Sequence, residues 1–142
     1  MELKRVVVTG MGAVTPLGNT PEETWEAMLA GKSGAAPITL FDASKFKTQF
    51  ACEVKNLNVT DYIDRKEARK MDRYTQLAII AAKQAVDDSA MNLDQEDKNR
   101  IGVVYGVGIG GIKTFEEEVG YFTGKFHLLS VYTAQSLAVK RH

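Results

Sequence analysis

The apolar positions of the chain switch between two periods. "LKRVVVTG" near the start has Val6, Val7 and Val8 in succession, as in a strand covered on both faces. "NTPEETWEAMLAG" changes to the helical period. Thr20 is placed as N-cap, Pro21 at the first helical position and Glu23 to close a capping box. Trp25, Met28 and Leu29 form the apolar stripe, and Gly31 is placed to end the helix. Residues 32–47 mix Gly, Pro, Ser and Asp and read as an irregular connection; "QFACEV" then alternates as a short strand. The strongest helical pattern runs from Asp64 to Ser89, and its second half is apolar on most faces, as in a helix buried inside a larger assembly. "RIGVVYGVG" reads as a second wholly apolar strand and "KTFEEEVGYF" as a short helix after it. The order strand, helix, strand, helix, strand, helix predicts an α/β fold with a parallel or mixed sheet.

Two glycine stretches follow apolar strands, so both are tested for phosphate binding. The dinucleotide fingerprint G-x-G-x-x-G needs the helix to start where the glycines end. Gly10 and Gly12 fit, but Thr15 stands at the third position, and the helix starts only at Pro21. Gly106, Gly108 and Gly111 do fit, yet "KFHLLS", where the ribose-binding acid would fall, has no Asp or Glu. This second stretch reads as a tight strand-to-helix turn where a backbone or an apolar ligand comes close. "GKS" at residues 31–33 lacks the earlier glycine and the preceding strand of a P-loop.

Composition adds exclusions. The 142 residues carry 18 basic and 18 acidic side chains, so bulk charge points to neither nucleic acid nor membrane. No apolar run approaches the ~18 residues of a transmembrane helix. One cysteine, Cys52, excludes a disulfide framework, and with His127 and His142 it makes no metal-ligand spacing. No cofactor or metal is expected. "MELKRVVVTG" is charged too early for a signal peptide, which makes the cytoplasm the expected compartment.

Four blocks in order carry a more specific signal: "RVVVTGMGAVTPLGNTPEETWEAMLAGKSG", "FDASKFKTQFACEVK", "RKEARKMDRYTQLAIIAAKQAVDDS" and "RIGVVYGVGIGGIKTFEEE". From Met1 to about Lys125 the chain resembles the N-terminal part of the β-ketoacyl-acyl-carrier-protein synthase II family, the elongating condensing enzymes of bacterial fatty acid synthesis. The resemblance implies a partial thiolase-like fold, the start of an α-β-α-β-α layered enzyme that works as a homodimer. It implies a decarboxylating Claisen condensation between an acyl-enzyme and malonyl-carrier protein. It also implies that the family's catalytic cysteine, two histidines and lysine lie beyond this chain. On this reading the chain contains no catalytic residue and is an inactive early portion. Residues 1–125 form the N-terminal part of the thiolase-like domain, and the tail 126–142, "FHLLSVYTAQSLAVKRH", falls outside the resemblance. The competing reading is a non-catalytic module that binds carrier protein or interferes with dimerisation.

Individual residues are weighed on both grounds. Cys52, flanked by Phe50 and Val54 at strand spacing and with no histidine near it, reads as a buried structural thiol. His127 reads as an exposed tail residue. Lys66, Arg69, Lys70 and Arg73, spaced for one helix face, form either a solvated face or a docking stripe. The resemblance implies that Lys66, Arg69 and Lys70 dock the acidic acyl carrier protein. Ile109 is either a core residue of a tight turn or, as the resemblance implies, part of the acyl pocket, with Gly108 leaving it room.

Overall fold

The computed structural model describes residues 5–123. In chain order it contains α1 (Pro21–Leu29), β1 (Ala35–Pro37), β2 (Phe50–Cys52), α2 (Arg65–Ala68), α3 (Arg73–Asp88) and α4 (Ile112–Thr123). Single 3₁₀ turns stand at Val59–Asp61 and Lys98–Arg100.

Helix α1 starts and stops where its sequence says. Thr20 Oγ1 accepts from Glu23 N at 3.2 Å. The Glu23 carboxylate reaches one residue further back than a capping box would take it, accepting from Asn19 N at 2.7 Å. Gly31 N donates to Met28 O and Lys32 N to Ala27 O, which is the Schellman pattern. The buried face differs from the expected one. Ala27 is buried and Thr24 half-buried, while Trp25, Met28 and Leu29 stay exposed. The small residues face the loop before the helix, where Thr24 Oγ1 lies 3.0 Å from Thr15 Oγ1 and donates to Thr20 O at 2.8 Å. A bulky stripe could not approach that closely.

The loop of residues 10–19 is the organising segment, because its backbone lies directly on α3. A Cβ on Gly12 would collide with the carbonyl of Ala81, and one on Gly10 would stand 2.6 Å from Ser89 N. Met11 N donates to Asp88 Oδ2 at 2.8 Å and Ala13 N to Gln84 Oε1 at 2.9 Å. The other end of the Gln84 amide donates to Asn19 O at 2.7 Å, so one side chain ties the loop at Ala13 and at Asn19. Asn19 Nδ2 extends the network to Lys55 O at 3.1 Å. These glycines serve helix packing, in keeping with the failed phosphate-loop spacing.

The core is small. Ile80 of α3 is fully buried, with Ile63 and Ala68 beside it and Val14, Leu57, Val59, Tyr62 and Met71 packed around them. Ile80 is also the one buried residue of α3, so the helix's other apolar faces are not fully covered by the described residues. The expected long helix is two helices, α2 and α3. Lys70 N to Glu67 O and Met71 N to Ala68 O are i→i+3 bonds that close α2 before Asp72 starts α3.

The sheet departs further from expectation. Among the described residues it has two strands, β1 and β2, paired antiparallel with Ala35 opposite Cys52 and Pro37 opposite Phe50. "QFACEV" thus yields its strand, but Val6–Val8 and the run from residue 101 to 105 form none. A run of β-branched residues becomes a strand only when a ladder pairs it and layers cover its faces. Neither segment has a ladder partner among the described residues, and Val6 and Val104 are 90% and 99% exposed.

Bare, strand-prone apolar segments template association. We predict that the 142-residue chain self-associates, with apparent size in size-exclusion chromatography rising with concentration. A monodisperse monomer at every concentration, binding no hydrophobic dye, would contradict this.

Candidate functional site

The basic residues singled out in the sequence gather around the junction of α2 and α3. Asp64 caps α2, its Oδ1 accepting from Lys66 N at 2.8 Å and Glu67 N at 3.3 Å. Buried Ala68 anchors the end of α2 against Ile80. Gln76 reaches back from α3 and donates from Nε2 to Ala68 O at 2.8 Å and Met71 O at 3.3 Å. It thereby satisfies carbonyls that the short helix leaves open.

Lys66 lies in α2, Arg69 caps its C-terminus, Lys70 lies in the connecting turn and Arg73 opens α3. The expected single helical face is therefore corrected: a turn between two helices gathers these cations. With Arg65 they make five exposed cations in nine residues. Lys70 Nζ pairs with Glu67 Oε1 at 2.8 Å, an exposed contact of ~0–1 kcal/mol. Arg73 Nη1 leans on Gln76 Oε1 at 3.4 Å. Among the described residues no carboxylate pairs with Arg65, Lys66, Arg69 or Arg73. The cluster is a net positive surface held on a fixed turn.

Asp72 connects this turn to the second expected site. It is the N-cap of α3, but its carboxylate makes no bond to that helix. Forgoing such a cap costs ~0.5–2 kcal/mol. Asp72 Oδ1 instead accepts from Thr114 Oγ1, in the first turn of α4. Gly111 packs on the same carboxylate, where a Cβ would stand 3.0 Å from Asp72 Cγ. The glycine turn of residues 108–111 is thus held at its downstream end. Gly110 has φ +71°, Ile109 is half-buried and Gly108 exposed. Asp72, Gln76 and Thr114 were missed by sequence reasoning. The position of Asp72 before "RYTQLAII" is the N-cap signal that would have revealed both the helix break and the residue.

Cys52 is exposed, which corrects the expectation of a buried thiol. In β2 side chains alternate, and Ala51 takes the covered side while Phe50 and Cys52 face solvent. His127 lies outside the described residues, as do residues 126–142 of the tail. Among the described residues no cluster of His, Cys, Asp and Glu could hold a metal, and no helix is long and apolar enough to cross a membrane.

Comparison with known proteins now identifies the family. The chain matches the model of the beta-ketoacyl synthase N-terminal domain over residues 3–137. The chain belongs to the beta-ketoacyl synthase family. It is 45% identical over 118 residues to a 3-oxoacyl-[acyl-carrier-protein] synthase 2 of Synechocystis sp., covering 83% of this chain and 28% of that protein. It is 50% identical over 113 residues to the protein of that name from Staphylococcus aureus, covering 80% of this chain and 27% of the relative. Among solved structures, the ishigamide ketosynthase/chain length factor superposes with a TM-score of 0.72 at 29% identity, covering 96% of this chain and 33% of that one. A beta-ketoacyl synthase from Burkholderia phymatum gives 0.64 at 27% identity, covering 96% and 36%. The ketosynthase fold is therefore that of this chain as a partial α/β, thiolase-like unit, and the chain spans under a third of the length of its curated relatives.

Away from this turn, Glu53 latches the β1–β2 hairpin. Its carboxylate accepts from Thr39 N at 3.0 Å and Thr39 Oγ1 at 2.6 Å. Partial burial works to raise its pKa, but the bonds from Thr39 and Leu40 and the charge of Lys55 outweigh it, so the value is lowered. A lowered folded-state pKa stabilises the fold at pH above the ordinary 4.5 and loses that contribution as pH falls through the folded value. We predict that protection of the Thr39 amide, corrected for intrinsic exchange, is flat above that pH and drops below it, and that Glu53→Gln abolishes the drop. Protection that stays level into acid in the wild type would contradict the latch.

Proposed function

We propose that this chain forms the carrier-docking and pocket-shaping part of a 3-oxoacyl-[acyl-carrier-protein] synthase of fatty acid synthesis. The observation that carries the proposal is the exposed cationic turn, Arg65 to Arg73, in which among the described residues Lys70 alone pairs with a carboxylate, in a chain 50% identical over 113 residues to a curated protein of that name. Acyl carrier protein is the acidic partner, seated on Lys66, Arg69 and Lys70. Long-range attraction steers it, and the fixed turn orients it. Ile109, with Gly108 leaving space beside it, borders the acyl chain.

The reaction of the whole enzyme is a decarboxylating condensation. An acyl group passes from carrier protein to a cysteine thiolate, releasing the carrier's thiol; malonyl-carrier protein loses carbon dioxide, and the resulting carbanion attacks the acyl-enzyme carbonyl, forming the carbon–carbon bond and expelling the cysteine thiolate. None of those catalytic roles is given to Cys52, which faces solvent on the hairpin, among described residues that include no histidine. The part proposed for this chain is recognition and placement of the substrate, within a homodimeric cytoplasmic enzyme.

Binding of acyl carrier protein to the 142-residue chain, measured by calorimetry across a salt series, tests the docking role. Exposed charges are screened over ~8 Å at physiological ionic strength, so affinity is expected to fall as salt rises. Reversing Lys66→Glu and Arg69→Glu together is expected to weaken binding about tenfold or more, ~1.4 kcal/mol at least. Binding that ignores both salt and the double reversal would remove the turn from the docking surface.

A further inference from the structure

Asp72 touches both halves of the proposed site. On one side it continues the backbone of the turn that holds Arg69 and Lys70, a turn fixed by the two Gln76 bonds. On the other its carboxylate accepts from Thr114 Oγ1 in the first turn of α4 and lies against Gly111, where a Cβ would collide with it. Its neighbour Arg73 turns to Gln76, so no local ion pair competes for that carboxylate.

The loop it holds is otherwise lightly constrained. Nothing lies within 4 Å of the space a Cβ would fill at Gly106, and Gly110 meets only Val107 Cγ1, at 3.9 Å. Asp72 and Thr114 therefore anchor the downstream end of a segment whose upstream end is open. An acidic partner seated on the neighbouring cations would repel the Asp72 carboxylate, and a displaced carboxylate carries Thr114 and Gly111 with it. Ile109 is two residues from Gly111.

We propose that Asp72 is a positioning residue that couples the cationic turn to the glycine turn of residues 108–111, so that occupation of the first resets the placement of Ile109. The coupling rests on the docking role proposed above. It adds a defined element that both sites bias, which is the physical requirement for coupling.

Hydrogen–deuterium exchange on the full 142-residue chain, read in peptides covering residues 65–74 and 106–115, tests it with Thr114→Val, which keeps the shape and removes the donor. Without partner, the variant is expected to exchange roughly threefold faster in both peptides, while Thr114→Ser matches the wild type. With purified acyl carrier protein at saturation, wild type is expected to change in both peptides. Thr114→Val is expected to keep the change in 65–74 but to lose the change in 106–115. A purely structural bond would not separate those two responses. Equal responses of 106–115 in wild type and Thr114→Val would overturn the coupling, as would a wild type in which carrier protein changes 65–74 alone. If carrier protein changes neither peptide, the docking role fails. The partner-free comparison then decides for Asp72: joint loosening of both peptides keeps its positioning role, and loosening confined to 106–115 removes it.

Discussion

Backbone 10–13 can lie against α3 only because Gly10 and Gly12 have no side chains, and the rest of the structure depends on that contact. It brings Ala13 to Gln84 and Asn19 to the same amide, and it places Val14 over the core around Ile80. The loop seats the C-terminal half of α3, at Ala81, Gln84, Ala85 and Asp88, and the N-terminus of the same helix is where both parts of the proposed site meet. The small core does not make this seating redundant. With Ile63, Ala68 and Ile80 as its buried members, a displaced loop would uncover a large share of it.

Local signals in the sequence were reliable where the physics is local. Thr20, Pro21 and Gly31 set the ends of α1 because caps depend on a few neighbouring residues. The strand "QFACEV" formed because its partner is a nearby segment. Signals that depend on distant partners failed. Three consecutive valines show that a segment suits a covered strand, but not which strand will pair with it, and among the described residues none does. Trp25, Met28 and Leu29 marked an apolar stripe, yet the loop needed a close approach and took the small face of α1.

The site was legible in its charges and hidden in its connections. Lys66, Arg69 and Lys70 are exposed and cationic, as docking residues must be. Placing them on one helix followed from spacing alone, which overlooks that an aspartate before a helical run can start a new helix. Asp72 does so, and it then turns its carboxylate away from its own helix toward Thr114, a tertiary choice that no local pattern announces. A residue that forgoes a local bond for a distant one marks where the fold departs from local consistency, and such departures concentrate at functional positions.

The central claim is that the absence of a Cβ at the first loop sets the seating of α3. Thermal or chemical unfolding of Gly12→Ala beside Gly102→Ala tests it most directly, since a Cβ at Gly12 meets the Ala81 carbonyl and one at Gly102 meets nothing within 4 Å. The account predicts a loss of ~1–3 kcal/mol for Gly12→Ala, from forced displacement of packed backbone, and little change for Gly102→Ala. Equal stability of the two variants would contradict it.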